Sequence, residues 1–227
     1  MFLDLYISFG DSSLNLLVKM YIDFLYSELE PDVVEEVMNI PPGLKILRNN
    51  TKSNLFDHPH IVLWHKFLLR YFNPEYTSKP YAILMPCTPI KPYRLSATHR
   101  IVDSTLYRLR LDHYTQIYVL SEPMVIVPRE LDIYYPFANY EYPIYELSEE
   151  YREKFISLLS IILPKLKYHK KIVAVLPKHH KAILLESFKK SKMSTDIAIL
   201  DYGRKSFSSV RRAVDMVTKY INEYSYR

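Results

Sequence analysis

This sequence predicts an α/β fold in which a parallel sheet lies between layers of helices, on three observations. Four short apolar runs, YAILM at 81–85, QIYVL at 116–120, KIVAVL at 171–176 and DIAIL at 196–200, are continuous and β-rich, as strands buried on both faces are. Helical segments lie between and after them, from about Ser96 to Leu111, Ser148 to Leu163, His179 to Ser191 and Ser206 to Tyr224. Strand then helix, repeated four times, is the pattern of a parallel sheet with crossover helices. The third observation is composition: with 48% hydrophobic and 14% aromatic side chains among 227 residues, burial can offset the entropy of ordering the chain, which excludes disorder as its main state.

Upstream of the first run the pattern differs. A short strand is expected over Leu3–Ser8, then a helix capped by Asp11 or Ser12, and a second short helix opening at Pro31. Ile40-Pro41-Pro42-Gly43 breaks the pattern, and the polar stretch Arg48–Asn54 reads as a linker. We therefore expect an N-terminal helical arm, 1–54, and an α/β core, 55–227. Within the core, Asp57 is expected to cap a helix carrying Ile61, Trp64, Phe67 and Leu68, which Asn73-Pro74 ends.

Several function classes are excluded. Average usage would give roughly 16 glycines, but the chain has three, so no Gly-rich phosphate cradle can be written. The single Cys87 excludes an intrachain disulfide, a CxxC redox pair and a zinc site with two thiolates. A reducing, cytoplasmic setting follows, and the N-terminus lacks a basic leader followed by a long apolar run. The apolar-looking stretch Leu14–Tyr26 carries Lys19 and Asp23 and is too short to cross a bilayer, so no membrane role is expected. No cofactor is expected.

Charge is uneven. Residues 1–163 carry net −5 and residues 164–227 net +10, with clusters at Lys165–Lys171, Lys178–Lys181, Arg204–Lys205 and Arg211–Arg212. That quarter reads either as a polyanion-facing surface or as a solvated basic face. Lys178, His179, Lys181, Arg211 and Arg212 are the candidate RNA contacts, the first three at a turn opening a helix. His179 and His180 are adjacent, a poor spacing for two ligands on one helical face, so no metal site is expected there.

In parallel α/β sheets, ligands bind beyond the carboxyl ends of the strands. The loop after the first strand, Pro86–His99, places a thiol, an ammonium, a phenol, a hydroxyl and an imidazole there. Cys87 reads as a nucleophile that Lys91 and His99 activate, or as a small buried hydrophobe. Ser96 can cap the following helix, and His99 in its first turn can then act as a neutral base.

Pro86-Cys87, three residues, Lys91-Pro92-Tyr93, two residues, Ser96, two residues and His99 resembles the PC-x3-KPY-x2-S-x2-H signature of archaeosine synthase, an archaeal tRNA-modifying relative of tRNA-guanine transglycosylase. The similarity runs from about residue 57 to 145 and includes Trp64-His65, Ser121, Val127-Pro128-Arg129-Glu130-Leu131 and Tyr135-Pro136. It implies a three-layer α/β/α sandwich with a four-stranded parallel sheet, like uracil-DNA glycosylase. It also implies a substrate, 7-cyano-7-deazaguanine in tRNA, whose nitrile becomes an amidine by addition of lysine, glutamine or ammonia. For the lysine route, a radical enzyme would be the partner.

On that resemblance Cys87, Lys91 and His99 are the catalytic candidates. Pro86, Tyr93, Ser96, Ser121, Arg129 and Glu130 are the substrate-binding ones, with Arg129–Glu130 read equally as a loop-organising ion pair. Relatives carry a transglycosylase-like barrel and a small RNA-binding domain for which this length leaves no room, so either a partner subunit is expected to supply tRNA binding or the basic segment from 164 onward partly replaces it. Two alternatives stay open: a non-catalytic tRNA- or base-binding subunit, and a nucleobase glycosylase, which lacks an obvious Asp in the first loop.

Overall fold

The structure, a computed structural model, describes residues 15–50, 53–191, 197–203 and 206–225. The strand expected over Leu3–Ser8, the caps Asp11 and Ser12, and Arg204–Lys205 lie outside the described residues.

Among the described residues the central sheet has five strands, not four. β2 (Tyr81–Pro86), β3 (Thr115–Ser121), β6 (Lys171–Leu176) and β7 (Ile197–Asp201) are the four expected runs, and all pair in parallel. The fifth, β4 (Val125–Pro128), is antiparallel to β3, giving the order β4-β3-β2-β6-β7. It was missed because a tight hairpin returns it on β3 without helix or glycine to announce it. A separate two-stranded ladder joins β1 (Leu47–Arg48) to β5 (Tyr140–Glu141).

Seven helices are described. On one face of the sheet pack α1 (Leu16–Glu28), α2 (Pro31–Met38), α3 (Pro59–Arg70), α5 (Glu149–Ile162) and α6 (Lys178–Ser191). On the other pack α4 (Ala97–Arg108) and α7 (Ser206–Ser225), through Val102, Leu106, Val210, Val214 and Val217. The cap of α3 is His58, whose ring accepts from His60 N, rather than the expected Asp57; that carboxylate instead pairs with Lys154 and Tyr151.

The first face owes its cohesion to aromatic packing. Trp64 and Phe67 of α3 meet Tyr21 of α1 at ring-centroid distances of 5.4 and 5.2 Å, and Phe137 closes on Trp64 at 4.6 Å. All four are buried, and such pairs add about 0.5–1.5 kcal/mol each beyond the area they remove from water. The boundary expected near residue 54 is therefore no break in the core. Gly43, with φ +95°, lets the segment between α2 and β1 pass close to the first strand's loop, where an added Cβ would meet Lys91 O at 3.3 Å.

Lys165, expected on the basic surface, caps α3 instead: its Nζ donates to the carbonyls of Leu68, Leu69 and Phe72 at 2.8–3.1 Å. His169 is buried between Tyr118 Oη and Lys79 O, at 2.9 and 2.8 Å.

Truncating the chain to 55–227 is expected to bare Trp64 and Phe137, abolishing cooperative unfolding and inducing binding of a hydrophobic dye. In the full chain, Tyr21→Ala is expected to cost about 3 kcal/mol or more in urea unfolding. A truncated form as stable as the whole would show that α1 and α2 are an independent arm.

A cysteine, glutamate and histidine candidate active site

Strand ends build this site. Cys87 follows β2 directly, its N–H still bonded to Leu120 O at 2.9 Å, so the sulfur leaves the sheet at a fixed point. Glu122 follows β3 and opens the hairpin to β4. Two hydrogen bonds from α3 hold that turn: Trp64 Nε1 donates to Met124 O and His65 Nε2 to Pro123 O, both at 2.8 Å. Val125 at its far end has φ 68°, a conformation that strains a β-branched residue by about 1–3 kcal/mol and persists where the surroundings over-determine it. His180 lies in the first turn of α6, just beyond β6.

Three adjacent strands thus deliver Glu122, Cys87 and His180 to one point. It is the switch point of the sheet: the connection leaving β2 runs through α4 on one face, and that leaving β6 runs through α6 on the other. His180 Nε2 is 3.0 Å from both Glu122 carboxylate oxygens, and the Cys87 thiol donates to Glu122 Oε2 at 3.8 Å. Glu122 is 4% exposed and His180 1%, while Cys87 is half-buried and opens the cluster outward. Donor atoms of all three lie within 4.8 Å of one another.

Burial alone pulls the His180 imidazolium down, but the Glu122 carboxylate and the Cys87 sulfur outweigh it and raise it well above the ordinary histidine range. Burial pushes Glu122 up, and the His180 cation overcomes this to leave it below the ordinary carboxylate value. The pair is an imidazolium and a carboxylate at neutral pH, with the Cys87 sulfur beside it. A nucleophile with a proton acceptor and a proton donor in contact is the arrangement that covalent catalysis requires. Glu122 did not emerge from the sequence reading, and His180 entered it only as one of two adjacent histidines at which no metal site was expected, although each stands within four residues of a strand's carboxyl end.

Lys91 borders the cluster. Its ammonium lies 4.2 Å from the Tyr140 ring centroid and 5.1 Å from that of Tyr93, and donates to Thr88 O at 2.9 Å. Burial pulls it down to about 8, against the opposing influence of Cys87. Tyr93 is fully buried, its hydroxyl joined to those of Ser121 and Tyr140, so it supports Lys91 and presents no face to a base.

Other candidates stand elsewhere. His99 is fully buried with both nitrogens engaged: Nε2 donates to Pro86 O at 3.0 Å, and Nδ1 accepts from Arg129 at 2.7 Å. It props the end of β2 and has no nitrogen left to shuttle a proton. Arg129 pairs with Asp103 and the buried Asp132, which also binds Arg94, so it braces the first loop instead of lining a cleft. Glu130 pairs with Lys79 and Gln116, at the opposite end of β3 from Ser121. Ser96 holds the cap position of α4 but makes no capping bond, and its buried Oγ has no partner.

Of the basic candidates, Lys178 and His179 are exposed at the start of α6 beside His180, and Lys181 pairs with Asp201 at 2.7 Å. Arg211 and Arg212 are exposed on α7, in the opposite layer.

Fold and site together define a helix-flanked α/β domain with a half-buried cysteine beside a buried glutamate–histidine pair at its switch point. The chain belongs to the family described as "Domain of unknown function (DUF5591)", whose model matches residues 61–215. It is 30% identical over 139 residues to the archaeosine synthase subunit alpha of Thermoplasma acidophilum, covering 60% of this chain and 26% of that protein. It is 36% identical over 59 residues to the subunit of the same name from Methanosarcina acetivorans, covering 26% of this chain and 9% of that protein. The chain thus spans about a quarter or less of the length of these relatives. The crystal structure of AF0587, a protein of unknown function, superposes with a TM-score of 0.43 and 20% identity over 66% of this chain and 47% of that one. No helix among the described residues is long and apolar enough to cross a membrane.

Three buried histidines set an acid limit. Burial pulls His65 and His169 down to about 4, and burial with the Arg129 cation pulls His99 to about 3. The unfolded chain takes up these protons below about pH 6.5 and the folded one does not. The contribution of these three histidines is therefore full above that pH and falls as pH drops from about 6.5 toward 4, by about 1.4 kcal/mol per pH unit for each. Urea midpoints across this range should show that slope, reduced by about 1.4 kcal/mol per pH unit in His169→Gln; a flat profile would show that the histidines fold protonated.

Proposed function

We propose that this domain modifies tRNA in archaeosine formation, with Cys87 as the nucleophile that attacks the nitrile of 7-cyano-7-deazaguanine. The observation carrying this reading is the contact of Cys87 with the buried Glu122–His180 pair, in a chain whose matches include two archaeosine synthase alpha subunits.

The chemistry balances without a redox step. As Cys87 Sγ bonds to the nitrile carbon, one C–N π bond breaks, Glu122 takes the thiol proton and His180 Nε2 gives a proton to the nitrogen, leaving a thioimidate. The proton on Glu122 then restores the imidazolium. An amine adds to the same carbon, loses its extra proton to the pair or to Lys91, and the C–S bond breaks, regenerating the thiol and an amidine. The net change is nitrile plus amine to amidine.

Lys91, held near pH 8 by its surroundings, accepts a proton from the incoming ammonium. Lys178 and His179, next to the site, contact the tRNA backbone, with Lys181, Arg211 and Arg212 extending that surface. A partner subunit supplies the rest of the tRNA grip, and a radical enzyme follows where lysine is the amine.

With tRNA containing the nitrile base and lysine, glutamine or ammonium supplied separately, mass spectrometry of digested nucleosides should show an amidine adduct from one donor. Cys87→Ala is expected to abolish it, and Glu122→Gln to slow turnover roughly 100-fold or more. Cys87→Ser retaining full turnover would overturn the covalent step.

The rate should also rise with an ascending limb near pH 8. In Lys91→Met that limb should disappear, whereas its persistence would remove Lys91 from proton transfer.

A further inference from the structure

The geometry points to a second capacity of the same three side chains: Cys87, Glu122 and His180 form a three-ligand site for a soft divalent cation, Zn2+ by its chemistry, whose occupancy silences the cysteine. This rests on the reading of Cys87 as nucleophile only for its consequence, not for the binding itself.

The donor set is a thiolate, a carboxylate oxygen and an imidazole nitrogen, the three kinds of side chain that hold zinc. Tetrahedral zinc bonded to sulfur at about 2.3 Å and to nitrogen or oxygen at about 2.0 Å places its ligands roughly 3.3–3.5 Å apart. The protein holds His180 Nε2 3.0 Å from each Glu122 oxygen, and Cys87 Sγ 3.8 Å from Glu122 Oε2. Shifts of a few tenths of an ångström admit the ion. Cys87 and Glu122 directly follow adjacent strands of one sheet and His180 lies in the first turn of the helix after a third, so the set is held by regular elements. Glu122 is further fixed by the bonds from Trp64 and His65 to its turn.

The two buried ligands lie inside and the half-buried Cys87 outside, which leaves the fourth position on the less covered, Cys87 side of the cluster. Three protein ligands with one open position is the pattern of accessible zinc sites rather than closed structural ones. Binding replaces the protons on the thiol and on Nε2 by the metal, with release of both. A metal-bound sulfur has its lone pair in the Zn–S bond, so metal and nitrile compete for it.

The test uses the full-length protein, stripped with chelator and titrated with Co2+ as a spectroscopic probe. A 1:1 complex with a thiolate-to-cobalt charge-transfer band in the near ultraviolet is expected, and Zn2+ should displace it. Cys87→Ser should lose that band, and His180→Ala and Glu122→Gln should each weaken binding by more than roughly tenfold; circular dichroism checks that each variant folds. Stoichiometric Zn2+ should protect Cys87 from iodoacetamide. Failure of Co2+ to bind 1:1, or a band of unchanged affinity in folded His180→Ala, would overturn the site. No tRNA enters this experiment, so its outcome stands apart from that of the nitrile assay.

Discussion

The Glu122–His180 ion pair is the constraint around which the rest of the structure is arranged. An isolated carboxylate at 4% exposure would cost several kcal/mol, and removing one member of a buried pair typically costs about 3–5 kcal/mol. The two side chains therefore have to be delivered to each other with little freedom. β3 and β6 flank β2 in the sheet, so their carboxyl ends lie on either side of Cys87. The pair and the thiol are one electrostatic unit: His180 carries its charge because Glu122 and Cys87 face it, and Glu122 stays ionised because His180 does.

Supporting this pair is a shell that does not itself touch the Cys87 sulfur. Trp64 and His65 hold the turn that aims Glu122, and Trp64 is in turn wedged among Tyr21, Phe67 and Phe137. On the other side of Cys87, His99 props Pro86 while Arg129 and Asp132 brace the loop that carries Lys91 and Tyr93. Much of the PC-x3-KPY-x2-S-x2-H pattern is thus scaffolding. Of its positions, Cys87 and Lys91 are the ones whose reactive atoms border the cluster, whereas Tyr93, Ser96 and His99 are buried behind them.

The four parallel strands and their helices were legible because strands buried on both faces are written as unbroken apolar runs, a signal local to each segment. β4 was illegible: its four residues fold back on β3 through a turn of three, too short a run to stand out as a separate strand. Glu122 and His180 were hidden for a different reason. A glutamate before a proline and one of two adjacent histidines carry no local mark, and their meaning arises only from strand order, which brings residues 35 and 58 positions apart into contact. Basic residues were over-read as surface for the same cause, since Lys165 and His169 point inward to satisfy carbonyls and a tyrosine.

By itself, then, the sequence determined the class of fold, the succession of its elements and the loop in which the single cysteine lies. These follow from hydrophobic period and turn residues, which act over a few positions. The tertiary structure alone decided which side chains accompany that sulfur. It placed an imidazolium and a carboxylate beside Cys87 and withdrew His99 and Arg129 into struts, because partners in a buried charge cluster are chosen by strand order and helix layer, not by distance along the chain.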